Sequence, residues 1–200
     1  TNGIDLSASY RLEMGGMGRV NFGLNSTYVS RYEYQFSTID TRPASVSGLG
    51  TVESSEMRSH VLAQDASWTP WYRLTLQAGV NYVRSTTTTP GSRYTRAVLD
   101  AQNNYWVANL FSTFVVDDKT DLSLGYLYYR ADDYKDNSAF GVPYGAGAEE
   151  HSVSVGLTRR IRSNLRVAVR YAFYNYTDEL FGGHNDYRAH MASCTLRYLF

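Results

Sequence analysis

The chain has 200 residues, the length of one ordinary domain, and its formal net charge is zero. Balanced charge, with no basic run and no zinc-type spacing of cysteine and histidine, argues against a nucleic-acid partner. The single cysteine, Cys194, excludes an intrachain disulfide. No apolar stretch approaches the roughly 20 residues that a membrane-spanning helix requires. The 18 tyrosines are unusual; a ring with an apolar body and a polar tip suits a membrane–water boundary.

The first two segments alternate between apolar and polar residues, as strands with one non-aqueous face do. The alternation predicts a strand over about Gly3–Leu12 and another over about Gly18–Phe36. In the second strand the apolar set includes Phe22 and extends through Tyr32 and Tyr34 to Phe36, all expected to face outward. A strand of roughly 19 residues far exceeds the usual 5–6 of soluble sheets. Strands that cross a bilayer and project beyond it are often this long.

Seven further strands follow with the same period of two, and no helical periodicity competes with them. In the first of these, about Arg58–Trp68, the charged Asp65 is expected to face the lumen, so the even-numbered residues are expected to face outward. The predicted strands cover about Arg58–Trp68, Tyr72–Arg84, Asn104–Val116, Asp121–Arg130, His151–Arg159, Leu165–Tyr176 and Arg188–Phe200.

The connections between these strands alternate strictly between short and long. Short links are predicted at Glu13–Met17, Thr69–Trp71, Asp117–Thr120 and Arg160–Asn164. Long, Gly- and Pro-containing links are predicted at Ser37–Met57, Ser85–Asn103, Ala131–Glu150 and Thr177–Tyr187. Tight turns on one side and long loops on the other are typical of outer-membrane barrels. The sequence therefore predicts an all-β fold, a transmembrane antiparallel meander β-barrel.

Nine strands are an odd number, whereas bacterial single-chain barrels close with an even number. We therefore expect residues 1–200 to be a single barrel domain that is incomplete at its N-terminus, the C-terminal portion of a larger barrel. The alternative is a ten-stranded barrel in which one strand has been misread.

Several stretches carry three resemblances to known barrel families. The final strand, with Leu196, Tyr198 and Phe200 on one face, resembles the closing strand of Gram-negative outer-membrane barrels, which implies recognition by the barrel-assembly machinery. Gly3–Leu12, followed by Gly18-Arg19-Val20 and Gly23-Leu24-Asn25, resembles late strands of TonB-dependent receptors. Leu122–Tyr129 and Asn185–His190 resemble the porin of porin–cytochrome conduits. All three resemblances imply the bacterial outer membrane.

Five arginines are predicted to face the lumen near the short turns and to form one basic band. Rings of Arg or Lys in a pore favour anions. In the alternative reading, the arginines pair with Asp5, Glu33, Asp65 and Asp121 and brace the wall without selectivity. The predicted band consists of Arg11, Arg19, Arg73, Arg166 and Arg197.

The outward aromatic residues are predicted to form two girdles at headgroup depth. A sugar-stacking path would instead need inward aromatics, for which Tyr129, Tyr174 and Tyr176 are the candidates. The girdle residues are Tyr10, Trp68, Trp71 and Tyr72 at the periplasmic rim, with Trp106 and Tyr128 at the outer rim.

The sequence gives little evidence for a catalytic site or a metal-binding site. Neighbouring residues such as His151 and Ser152 face opposite sides of a strand, and so do His190 and Ser193. The acidic loops lack the spacing of a calcium loop. We therefore expect no enzyme activity, no catalytic residues, no metal and no cofactor.

The predicted function is an outer-membrane channel or transport conduit, either a porin or a receptor barrel, with a polar and partly basic lumen. The alternative is a structural barrel with a filled lumen that sheathes or docks a partner such as a multihaem cytochrome. A barrel hydrolase is a second alternative. Expected partners are outer-membrane lipids and lipopolysaccharide, the barrel-assembly machinery, and a periplasmic or lumen-filling protein.

Overall fold

Nine long strands, each antiparallel to the next, form one meandering sheet in chain order. The computed structural model describes residues 2–35, 54–88, 100–133, 147–179 and 183–199. A two-residue strand, β5, pairs with the end of β4. The strands are β1 (Asn2–Glu13), β2 (Arg19–Gln35), β3 (Ser54–Trp71), β4 (Leu74–Thr88), β5 (Ala101–Gln102), β6 (Tyr105–Asp117), β7 (Thr120–Asp132), β8 (Gly147–Arg162), β9 (Leu165–Asp178) and β10 (Tyr187–Tyr198).

Short turns join the strands at one end of the sheet, here called the short-turn end. A 3₁₀ turn, Gly15–Met17, links β1 to β2. The other three are two-residue turns, Tyr72–Arg73, Asp118–Lys119 and Ser163–Asn164. In the Asp118–Lys119 turn, the N–H of Lys119 donates to Asp117 Oδ1 at 2.7 Å. The strand ends that these turns do not join lie at the opposite edge of the sheet, here called the long-loop end, so the predicted alternation of short and long links is confirmed.

The register places most apolar residues of every long strand on the same side of the sheet, here called the outer face. Phe22 pairs with Tyr10 on β1 and with Ala66 on β3, and Leu110 pairs with Tyr126 on β7. Tyr10, Phe22, Leu110 and Tyr126 are exposed, and Leu110 is 51% accessible. Among the described residues, Ala131 and Ala172 are the only buried hydrophobic ones. A one-layer sheet with such a face is stable only where lipid covers that face.

The opposite, inner face is polar and hydrogen-bonded across strands. Arg11 Nε donates to Asn21 Oδ1 at 2.9 Å, and Asn21 Nδ2 donates to Ser67 Oγ at 3.0 Å. This chain of contacts joins β1, β2 and β3. Further along the sheet, the Phe111 ring lies over Gly125, where a Cβ would come within 2.9 Å of Phe111 Cε1. Hydrophilic side chains on this face suit a water-filled or protein-filled interior.

The strands differ from the sequence prediction mainly in length and at one bulge. β3 and β8 extend further at both ends than their predicted ranges, because polar residues continue the backbone pairing beyond the apolar band. A register shift between Val29 and Tyr32 changes which residues of β2 share a face. Tyr32 pairs with Met57, an inner-face position, so its predicted outward orientation is wrong. The Tyr34 side chain and Phe36, also predicted to face outward, lie outside the residues that the structure describes.

Gly18 is expected to be irreplaceable at the start of β2. Its φ is 82°, and a Cβ there would overlap the carbonyl oxygen of Thr69 and lie 2.8 Å from Pro70 Cα. Gly18→Ala should therefore destabilise the barrel by about 1–3 kcal/mol. Gly16 has open space around its Cα, so Gly16→Ala is the matched control. Equal unfolding free energies for the two variants in lipid vesicles would contradict this account of the turn.

Opposite faces of β6 should respond differently to a new charge. Leu110→Arg places a guanidinium on the lipid-facing side and should cost about 2–4 kcal/mol near the bilayer midplane. Thr113→Arg, on the exposed inner face of the same strand, should change the free energy of folding by less than about 1 kcal/mol. Urea titration of the intact protein in vesicles measures both values. A larger cost at Thr113 would reverse the assignment of the faces.

Candidate functional site

Three arginines are neighbours on the inner face at the short-turn end. Arg166 of β9 pairs directly with Arg160 of β8 and with Arg197 of β10. Side chains at directly opposed positions have Cβ atoms roughly 4.5–5.5 Å apart. All three residues are exposed. Arg160, Arg166 and Arg197, here called the arginine triad, line a recess of about 220 Å³ together with Arg162 and Asn164.

The arginine triad lacks acidic partners within the described part of the chain. Arg160 Nη2 donates to the backbone carbonyl of Asp118 at 2.7 Å, which ties it to the β6–β7 turn. The described ion pairs involve other residues. Like charges directly opposed on a sheet repel each other, so water or bound anions must stabilise the triad. This arrangement presents concentrated positive charge at one end of the inner face.

The other predicted band residues also lie at the short-turn end, but on other strands or turns, so they do not directly oppose the triad. Arg11 and Arg19 are on β1 and β2, where Arg11 is held by Asn21 and Arg19 pairs with Glu13. Arg73 lies in the β3–β4 turn, where its Nε donates to the Tyr72 hydroxyl at 2.9 Å. Of the predicted set, Arg166 and Arg197 are the pair that directly oppose each other within the described residues, and a single basic band around the short-turn end stays a prediction.

Sequence reasoning missed Arg160. The sequence places Arg160 at the start of the predicted turn Arg160–Asn164, whereas β8 continues to Arg162 with a register shift between Arg160 and Arg162. A run of Arg159, Arg160 and Arg162 was the available signal. The alternative pairing with Asp5, Asp65 or Asp121 does not occur among the described side chains, and the Glu33 side chain lies outside them.

Tyrosines dominate the inner face towards the long-loop end. The rings of Tyr176 and Tyr187 stack with centroids 5.1 Å apart and an interplanar angle of 17°. Tyr105 and Tyr129 approach to 5.9 Å. Glu150 pairs with Tyr129 on one side and with Tyr176 on the other. The register therefore puts Tyr129 and Tyr176 on the inner side, as predicted, and adds Tyr105 and Tyr187.

The predicted girdle residues lie on the outer face or in the turn at its rim. Trp68 donates from Nε1 to the carbonyl of Met17 at 3.1 Å, and Tyr10 is 64% exposed. Trp71 ends β3, and Tyr72 is in the following turn. On the side of the long loops, the rings of Trp106 and Tyr82 are 4.3 Å apart, and those of Tyr128 and His151 are 5.0 Å apart. Anchoring at headgroup depth stays a prediction.

The terminal strand carries its apolar residues outward. Leu196 pairs with Val167 and Tyr198 with Leu165, and the two exposed fractions are 68% and 51%. Phe200 lies outside the described residues. Recognition of Leu196, Tyr198 and Phe200 by the assembly machinery stays a prediction.

Two histidines form hydrogen-bonded chains on the outer face. His151 Nε2 is 3.1 Å from Glu149 Oε1, and His151 Nδ1 is 2.8 Å from the Tyr126 hydroxyl. His190 Nδ1 is 2.6 Å from the Tyr171 hydroxyl. Glu149 and His151 share a face because they are two residues apart on β8, and the neighbouring strand β7 supplies Tyr126. The contacts with Tyr126 and Tyr171 join neighbouring strands, so comparing each histidine with residues on its own strand does not reveal them.

No cluster of three or more histidine, cysteine or carboxylate side chains suited to a metal ion occurs among the residues that the structure describes. Within those residues, no helix has both the length and the apolar character needed to cross a membrane.

The antiparallel meander, the apolar outer face and the polar inner face define an outer-membrane β-barrel sheet, located in the bacterial outer membrane. Two solved structures are similar to this chain: outer-membrane expressed OmpT of Vibrio cholerae, and its loop L8 deletion mutant. The first is 17% identical with a TM-score of 0.47, and the second is 14% identical with a TM-score of 0.46.

The matches cover 97% and 98% of this chain, which spans 56% and 62% of the two solved chains. No family model and no curated protein matches the sequence. The resemblances to TonB-dependent receptors and to the porin of porin–cytochrome conduits stay predictions.

The prediction that the chain is not an enzyme needs correction. The structural neighbours are OmpT proteins, and their likeness gives no ground for excluding catalysis, while at this identity it shows the fold alone and assigns no reaction. The register does place His151 and Ser152 on opposite faces, but cross-strand contacts bring Glu149, His151 and Tyr126 together, which parity within one strand cannot show. The exclusion of enzyme activity is therefore withdrawn.

Repulsion within the arginine triad should be measurable. Arg166→Gln removes the central charge and should stabilise the barrel by about 0.2–1 kcal/mol at low ionic strength. The gain should shrink at 1 M salt, where the Debye length is only about 3 Å. Arg11→Gln is the control, since Arg11 lies beside Asn21 and not beside another arginine. A loss of stability in Arg166→Gln at low salt would show that an anionic group already neutralises the triad.

Proposed function

We propose that the chain forms part of the wall of an outer-membrane channel whose short-turn mouth favours anions. The arginine triad is the observation that carries this proposal. Arg160, Arg166 and Arg197 are exposed on the inner face at adjacent positions. A concentrated positive charge on a pore wall attracts anions and repels cations.

The spacing of the triad suits this role. Cross-strand neighbours roughly 5 Å apart lie well within the Debye length of about 8 Å at physiological ionic strength. An ion passing the triad would therefore experience the three charges together. At about 8 Å in water, each charge contributes roughly 0.5 kcal/mol, which is about a twofold change in ion preference. Structured water and narrow walls would increase the effect.

A second candidate function is a sheath around a protein that fills the lumen, such as a multihaem cytochrome. The observation that favours it is the exposure of large apolar side chains on the inner face. Phe111 is 44% exposed, Met191 43% and Tyr187 45%. A partner surface packed on these side chains would remove them from water, at a gain of about 25 cal/mol per Å².

The channel proposal is tested by replacing all three triad arginines with glutamine. Reversal potentials of the intact protein would be measured in a planar bilayer under a KCl gradient. The triple variant Arg160→Gln, Arg166→Gln, Arg197→Gln should shift the reversal potential towards cation preference. Arg188→Gln, on the outer face of β10, is the control and should leave it unchanged.

Two results would count against the channel. An open channel whose reversal potential is identical in the wild type and the triple variant would remove the triad from ion selection. A correctly folded barrel that conducts no current would favour the sheath, and co-purification of a bound protein would then identify what fills the lumen.

A further inference from the structure

A basic recess lies on the outer face, at the long-loop ends of β3 and β4. His60 of β3 pairs directly with Arg84 of β4, and Arg58 pairs with Thr86. The recess measures about 580 Å³ and is lined by Glu56, Arg58, His60, Arg84, Thr86 and Thr88. All six residues lie beyond the apolar part of their strands, which ends at Leu62 and Tyr82.

The position of the recess corresponds to the edge of the membrane. The ring of His60 is 4.3 Å from the ring of Tyr28, and the ring of Tyr82 is 4.3 Å from that of Trp106. Aromatic rings gather where the hydrocarbon ends and the headgroups begin. The outward residues one step further along each strand, His60 and Arg84, therefore lie at headgroup depth.

The chemistry of the recess matches a phosphate group. Arg84 makes no ion pair with a described residue, and Arg58 uses its Nε towards Glu56 at 2.9 Å. The side chain of Arg58 is 68% exposed, so its terminal nitrogens are accessible. Two guanidinium groups against one carboxylate leave a net positive charge before His60 is counted. Arginine binds phosphate oxygens in a two-pronged geometry, and the two threonine hydroxyls add donors.

Another outward arginine provides a useful contrast. Arg130 of β7 donates to Asp132 Oδ1 at 2.7 Å and pairs in register with Glu149. Two carboxylates therefore surround one guanidinium there, and no excess positive charge remains. The excess of guanidinium groups over carboxylates is therefore a property of the β3–β4 recess and is not shared by every outward arginine.

We propose that this recess binds the phosphate groups of a phosphorylated glycolipid in the outer leaflet. Charge complementarity and headgroup depth both favour a lipid over a free ion, because the acyl chains of the lipid would lie along the apolar outer face below Leu62 and Tyr82. The proposal is independent of the channel function, since the recess and the arginine triad lie on opposite faces.

The test uses the intact protein in detergent with purified lipopolysaccharide as the probe. Binding would be followed by native mass spectrometry for the wild type and for Arg58→Gln/Arg84→Gln. Arg188→Gln is the matched control, because Arg188 also faces outward near the long loops, where it donates to Asn175 at 3.1 Å. Heat-dependent migration on gels confirms folding of each variant.

The double variant should bind lipopolysaccharide at least about tenfold more weakly, the loss expected when one charged hydrogen bond is removed. The control should remain within about twofold. Dephosphorylated lipopolysaccharide should bind the wild type as weakly as the intact lipid binds the double variant. Equal affinity of the wild type and the double variant would overturn the proposal. Displacement of the lipid by millimolar inorganic phosphate would also overturn it, by showing a site for the free ion.

Discussion

Each long strand must keep one side in lipid and the other in a polar interior, and every other feature of the sheet follows from that constraint. Side chains on a strand alternate strictly, so a one-residue slip in register would exchange the two faces. Leu110 and Asn109 are adjacent on β6 yet lie in different media. With a single layer and almost no buried core, stability comes from lipid covering the outer face and from backbone pairing across the strands.

The strands, the short turns and the two faces could be predicted, because the alternation of apolar and polar residues along each strand is visible in the local sequence. Asp65 was enough to orient β3 correctly. Cross-strand partners were not predictable, since register depends on where each turn closes and where a bulge inserts a residue. The shift between Val29 and Tyr32 reversed one expected orientation. The arginine triad and the contacts of His151 with Tyr126 depend on register in the same way.

Charge is distributed differently on the two faces. The described ion pairs are on the outer face near the long loops, where Arg58, Arg130 and His151 each contact a carboxylate. Such exposed pairs contribute little stability, but they leave few unbalanced charges beside the membrane. On the inner face the triad has no such partner within the described residues. Unpaired guanidinium groups are stable there only in contact with water or an anionic surface.

The triad also limits what a filled lumen would contain. A sheathed partner would have to bring carboxylates or phosphates to the short-turn end, because burying three unpaired arginines under an uncharged surface would cost several kcal/mol. Towards the long loops, the same partner would meet tyrosine rings around Glu150, which suit a flat polar or aromatic surface. An open channel meets both conditions with water alone. The inner face is therefore best matched by water, or by a partner that carries anionic groups at the short-turn end and a flat polar or aromatic surface towards the long loops.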